Sequence, residues 1–196
     1  MIKDLLYEIK KLDDKQLLVE IQLVESQIYH GIKNIPKAKA ALTSVKTASH
    51  SIYVIPELQA QIDLQSGVIS AEENDFNTSF SYFFESFEGY NSLGHSQAGM
   101  ALKYMLLSKI MDQKPVDALS TINSQTSVKY QSTELDAMAA VARAVKDQNL
   151  QDFEKAKAKY ETELQNDLIL DTHIHNLYHL LLENNLLKIL EPYSQV

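Results

Sequence analysis

The chain has 196 residues, 45% of them apolar, and a net charge of −8 from 18 basic and 26 acidic side chains. That length suits one domain able to bury a core. The apolar fraction excludes a disordered chain, and the acidic balance argues against a nucleic-acid partner. There is no cysteine, which excludes a disulfide framework and thiolate chemistry and fits a reducing compartment. Four Pro and five Gly are too few punctuators for an all-β chain. The opening MIKDLLYEIKKLDDK lacks the pattern of a signal peptide. No apolar run approaches the roughly 20 residues of a membrane span, so no membrane partner is expected.

In chain order the pattern is helix after helix. Residues 2–12 predict a first helix with Leu5, Leu6, Ile9 and Leu12 on one face. Asp13 or Asp14 caps a second, running to about His30, with Leu17, Leu18, Ile21, Val24, Glu25 or Ile28, and Tyr29 inward and Gly31 at its C′ position. Pro36 opens an Ala-rich third helix at N1, with Asn34 as its cap, and Pro56 a fourth to about Glu72. Asn74 or Asp75 caps the fifth, and Gly89 and Gly94 bracket its end.

This fifth helix carries five of the six Phe residues: Phe76, Phe80, Phe83, Phe84 and Phe87. Their spacing places them on one helical face. Burying each is worth roughly 1.5–3 kcal/mol, so neighbouring helices are required to cover the stripe. Ser96 starts a sixth helix, whose Leu102, Met105, Leu106 and Ile110 face a core; Leu102, Met105 and Leu106 are expected behind the Phe stripe. Pro115 opens a short seventh to about Ile122, and residues 123–132 read as a loop. Helices follow over 133–147, with a loose capping box at Thr133–Asp136, over 150–165 and over about 171–190.

Three stretches align with one another: Asn34-IPKAKAAL, Asp75-FNTSFSYF and Asn149-LQDFEKAKAKY, with Lys114-PVDAL a weaker fourth. Their spacing of roughly 34–41 residues is that of paired-helix repeats such as the tetratricopeptide repeat (TPR). Gly67-VISAEENDF before the Phe stripe fits a degenerate version, with a small residue on the first helix of the pair. The expected fold is all-α, a right-handed α-solenoid of TPR-like helix pairs with about ten helices.

Residues able to do chemistry are few. His175, His179 and Glu183 follow at i, i+4 and i+8 on one helical face, a spacing metal-binding helices use, but without an H-E-x-x-H motif they read as a polar stripe; His173 lies on another face. The carboxylates Asp13 and Asp14, Glu72 and Glu73, and Asp167 and Asp171 sit at predicted helix ends, where capping explains them. Met100, Met105 and Met111 read as core filler. Lys155, Lys157 and Lys159, balanced by Glu154, Glu161 and Glu163, form a solvated face. No catalytic, cofactor-binding or metal site is assigned, no cofactor and no small-molecule substrate are expected, and the chain reads as not an enzyme.

Several stretches together carry a resemblance. Phe76–Tyr90 and LKYMLLSKIM (Leu102–Met111) are its most specific part, and Ile9–His30, Lys37–Tyr53, Leu150–Leu164 and Leu177–Ser194 extend it in order. They resemble the 26S proteasome lid PCI subunits of the Rpn6 family; the second subunit of the COP9 signalosome is a more distant relative of the same architecture. The resemblance implies a non-catalytic scaffold that braces the lid against the ATPase ring and core particle, in cytoplasm and nucleus, in ubiquitin-dependent degradation. Residues 1–196 would be the TPR-like repeat segment of a PCI-type subunit. Its far N-terminal repeats and its winged helix, expected after Glu191, would lie outside this sequence.

Overall fold

The structure, a computed structural model, describes residues 14–190. Among these residues eleven helices follow one another and no strand occurs. They are α1 Lys15–Gly31, α2 Ile35–Ser49, α3 Pro56–Glu72, α4 Phe76–Ser92, α5 Ala98–Met111 and α6 Pro115–Ile122. After these come α7 Gln125–Val128, α8 Thr133–Lys146, α9 Leu150–Lys159, α10 Glu161–Gln165 and α11 Leu168–Leu190. The chain forms two compact units, Met1–Ala101 and Leu102–Val196. The helix expected over residues 2–12 lies outside the described residues.

One turn occurs four times directly before a helix cap, and a fifth time at Gly94, where the His95 N–H donates to Tyr90 O at 2.9 Å. Lys33, Asn74, Gln113 and Gln148 all take a left-handed backbone conformation, with φ of 59°, 61°, 60° and 48°. Each stands directly before the cap of the next helix: Asn34, Asp75, Lys114 and Asn149. Each cap's N–H donates five residues back, from Asn34 to Tyr29 O at 2.8 Å, Asp75 to Ser70 O at 3.0 Å, Lys114 to Lys109 O at 3.0 Å and Asn149 to Ala144 O at 3.0 Å. This is the Schellman pattern, which satisfies the last carbonyls of one helix while the next begins. The turn joins α1 to α2, α3 to α4, α5 to α6 and α8 to α9, at intervals of 41, 39 and 35 residues. The four stretches that align in the sequence are therefore the second helices of four equivalent hairpins, the element order a helical solenoid requires.

In the first unit, α1, α2 and α3 share a core of Val19, Leu23, Ala38, Leu42, Val45, Leu58, Ile62 and Ile69. Helices α3 and α4 approach closely through small residues. Ser79 Oγ donates to Gly67 O at 2.9 Å, and Ser86 Oγ donates to Ala60 O at 2.8 Å. Ser26 Oγ does the same between α1 and α2, to Ala38 O at 2.9 Å. These bonds let three serines be buried without an orphaned hydroxyl.

They also correct the expected inner faces. The buried residues of α4 are Ser79, Phe83, Ser86, Phe87 and Tyr90, an arc turned about 60° from the centre of the Phe stripe at 100° per residue. Phe83 and Phe87 are buried, Phe76 and Phe80 half-buried, and Phe84 is 43% exposed. In α1 the buried positions are Val19, Leu23 and Ser26, whereas Leu17, Val24 and Ile28, expected inside, are exposed. That helix is apolar on most sides, so periodicity alone did not choose a face. The Ser26 bond to α2 shows which side is inside.

The second unit packs α8 against α6, α9 and α10, and α11 against α9 and α10. Helix α8 buries Leu135, Ala137, Met138, Val141, Ala142 and Val145, and α11 buries Leu170, Ile174, Leu177 and Leu181 along one face. Phe153 of α9 is buried, its ring 6.1 Å from that of Tyr178. Leu102, Met105, Leu106 and Ile110 of α5 are buried as expected, and so are Lys103, Tyr104, Leu107 and Ser108.

Several boundaries differ from expectation. Gly31 is the last residue of α1, and the left-handed position falls at Lys33. Ile35 precedes Pro36 within α2, and α5 starts at Ala98 rather than Ser96. The expected loop 123–132 contains α7, capped by Ser124. Ser132, not Thr133, caps α8, accepting from Leu135 N at 3.4 Å. The helix expected over 150–165 breaks at Tyr160, whose ψ of 36° leaves the helical region; the bend allows both Phe153 and Leu164 to be buried.

Candidate functional site

Within the first unit, polar and charged side chains tie the first hairpin to α3. His30 Nε2 lies 3.0 Å from Glu72 Oε1, Lys33 Nζ 3.4 Å from the same oxygen, and Lys39 Nζ 2.6 Å from Glu73 Oε1. Glu72 and Glu73 stand at the end of α3, so the Schellman turn after α1 and the one after α3 are linked by charge as well as by packing. The His30 and Glu72 side chains are nearly buried, whereas the Lys39–Glu73 pair is exposed and worth at most about 1 kcal/mol. A recess of 340 Å³ lined by Glu20, Leu23, Val24, Ile55 and Leu58 opens on the same unit.

The second unit has a polar centre. Lys103 is 7% exposed at its side chain, and its Nζ lies 3.1 Å from Asp167 Oδ2 and 3.4 Å from Glu134 Oε2. The Tyr104 hydroxyl donates to Asp167 Oδ2 at 2.7 Å. Asp167 Oδ1 accepts from Ile169 N at 3.0 Å and Leu170 N at 3.4 Å, capping α11. One carboxylate thus starts a helix and holds a buried cation and a phenol. Burial, and then the Asp167 charge, push the Tyr104 hydroxyl well above the ordinary tyrosine range. Around this centre lies a cavity of 560 Å³ lined also by Thr133, Thr162, Glu163 and Asn166. A second groove of 460 Å³ runs between α8 and α9, floored by Ala139, Ala140 and Ala156 and edged by Arg143, Lys155, Lys159, Asp136 and Asp147.

The residues singled out in the sequence fall as follows. Asp14 caps α1, accepting from Leu17 N at 3.0 Å, and Asp13 lies outside the described residues. Glu72 and Asp167 are ends and caps, but not solvated ones: their side chains are 12% and 15% exposed, because each is drawn inward by a basic partner. Asp171 is exposed in the first turn of α11. His175, His179 and Glu183 are exposed on α11, and the two imidazoles meet with 3.0 Å between their Nε2 atoms. No group of three or more His, Asp or Glu among the described residues is placed to hold a metal ion. Lys155 pairs with Asp152 at 2.9 Å. Met105 is buried, with Met100 and Met111 half-buried.

The Lys103–Asp167 pair escaped the sequence reading. Its one signal was a lysine, Lys103, inside the apolar run AGMALKYMLLSKIM. Its partner stands 64 residues away, beyond the reach of any helical periodicity.

Four equivalent hairpins and helix-on-helix cores define the class: an all-α helical-repeat protein. The particular family follows from three relatives. The chain is 45% identical over 197 residues to the probable 26S proteasome regulatory subunit rpn6 of Schizosaccharomyces pombe, covering 100% of this chain and 47% of that protein. It is 47% identical over 196 residues to the 26S proteasome non-ATPase regulatory subunit 11 homolog of Arabidopsis thaliana, covering 100% and 47%. It is 47% identical over 201 residues to the 26S proteasome regulatory subunit RPN6 of Saccharomyces cerevisiae, covering 100% and 46%. Along its whole length the chain is similar to a segment of these proteasome regulatory subunits, and it spans about half the length of the curated relatives it matches. No protein-family profile matches it. No helix among the described residues is long and apolar enough to cross a membrane.

Proposed function

We propose that this chain is a non-catalytic scaffold segment of a proteasome lid subunit, which supports assembly and stability of the 26S proteasome in ubiquitin-dependent protein degradation. The observation that carries this reading is the identity of 45–47% over the whole chain to proteasome regulatory subunits of three distant organisms. The mechanism is spacing and presentation. Repeated hairpins, locked by the same turn and by buried serine bonds, hold surface residues at fixed positions, so the cost of ordering is met on folding rather than on assembly. Partners are the other lid subunits, the ATPase ring and the core particle, in cytoplasm and nucleus. The TPR-like repeats belong to a PCI-type subunit whose winged helix lies outside residues 1–196.

The test is affinity purification of the encoded protein, tagged in its own cells, with the co-purifying chains identified. Lid and ATPase-ring subunits in stoichiometric amounts are the expected result. Recovery of signalosome subunits in their place would overturn the assignment. Recovery of neither, together with micromolar binding of isolated peptides, would make the chain a stand-alone adaptor using the groove between α8 and α9.

A further inference from the structure

We propose that His175 and His179 of α11 form a two-imidazole chelate for a divalent first-row transition ion, with Ni2+ and Cu2+ the ions it fits best. One helical turn separates the two residues, which places neighbouring side chains on the same face. Their Nε2 atoms are 3.0 Å apart and the ring planes stand at 87°.

Metal–imidazole bonds of about 2.0–2.1 Å on nitrogens at that separation meet at an angle of about 94°. That is the angle between neighbouring ligands in octahedral and square-planar complexes, the geometries of Ni2+ and Cu2+. Tetrahedral Zn2+ would need the nitrogens to part to about 3.3 Å. Both side chains are exposed, so turning each lone pair toward a shared ion meets solvent rather than packed core.

In the metal-free chain one ring donates Nε2–H to the other. In the chelate each ring carries its proton on Nδ1 and turns its Nε2 lone pair to the ion. Glu183 stands one further turn along, and Tyr178, between the two histidines in sequence, donates its hydroxyl to Glu154 at 3.1 Å. With two protein ligands the site leaves positions to water or to a donor on a neighbouring chain. It is a surface clamp rather than a closed structural or catalytic centre.

The experiment is calorimetric titration of the untagged 196-residue chain with Ni2+, then with Zn2+. One equivalent of Ni2+ binds, more tightly than Zn2+. His175→Ala and His179→Ala each weaken Ni2+ binding by about tenfold or more, the scale on which losing a metal-shell partner acts. Glu183→Ala and His50→Ala, which alter another exposed carboxylate and imidazole, leave it unchanged. Absence of saturable binding, equal binding by either His variant, or Zn2+ binding more tightly than Ni2+ would each overturn the proposal.

Discussion

Gly67 faces Phe83 so closely that a Cβ on the glycine would lie 2.6 Å from the ring carbons Cδ1 and Cε1. The ring is fully buried, so it has little room to yield. Gly89 stands similarly toward Ala60, at 3.0 Å. The second hairpin is therefore built around missing side chains, which admit an aromatic ring on one helix and a serine–carbonyl bond beside it.

Gly67→Ala is accordingly destabilising. Helix propensity alone would favour alanine by about 1 kcal/mol, but overpacking costs about 1–3 kcal/mol and outweighs it. The urea midpoint falls. Phe83→Ala lowers it further, by about 3–5 kcal/mol, a large share of the ~5–15 kcal/mol a domain holds. In the Phe83→Ala background the added methyl of Gly67→Ala has room, and its effect turns stabilising. An unchanged cost in both backgrounds would contradict the contact.

Asp167 and Lys103 are not equivalent targets. Asp167→Ala takes from a nearly buried ammonium its nearer carboxylate, leaving it the more distant Glu134, and removes the cap of α11, at a cost of about 3–5 kcal/mol. Lys103→Met leaves the carboxylate its Tyr104 hydroxyl and two backbone N–H donors, so it costs less. Thermal or denaturant unfolding of the two variants should show that order.

The Tyr90 hydroxyl is buried and finds no hydrogen-bond partner among the described residues, and burial, followed by the charge of Glu57, pushes its pKa up to about 12. The folded state therefore holds the proton more tightly than the unfolded chain. The stability tied to this is fully present below pH ~10, where both states are protonated, and is lost as pH rises through about 12. The slope is at most about 1.4 kcal/mol per pH unit per group. Tyr104, shifted in the same direction, adds to it. Tyr90→Phe removes an unsatisfied buried group, so it is neutral or stabilising at pH 7, by up to about 1 kcal/mol, and flattens the alkaline fall in stability.

The four left-handed turn residues carry side chains where glycine is easier. Gln113→Gly and Gln148→Gly should each stabilise by about 0.5–1 kcal/mol, since the left-handed conformation costs an L-residue about 1–2 kcal/mol and glycine's greater unfolded freedom returns only part of it. A β-branched residue at the same positions, as in Gln148→Val, should destabilise. Denaturant midpoints of the three variants check the sign.

Much of the helix series was legible in the residues because its signals are local. Proline at a first turn, an Asn or Asp cap and helical periodicity act over one or two turns, so α2, α3, α4, α6 and α8 fall close to where they were expected. Repetition was legible too, since three of the four hairpins begin their second helix with an Asn or Asp cap. Which face of each helix lies inside was not. Val19 was chosen over Leu17, and Ser79 and Ser86 over Phe84, by serine hydroxyls that found a carbonyl on the facing helix, a choice that exists only once two helices meet.

By itself, then, the sequence determined that this protein is a chain of helical hairpins and which family it resembles, because caps, turns and repeats are read from near neighbours. The tertiary structure alone decided that a glycine receives Phe83, that Lys103 waits for a carboxylate 64 residues away, and that two exposed histidines meet nitrogen to nitrogen. Those relations depend on distances between side chains, and such distances are set only when the backbone has folded.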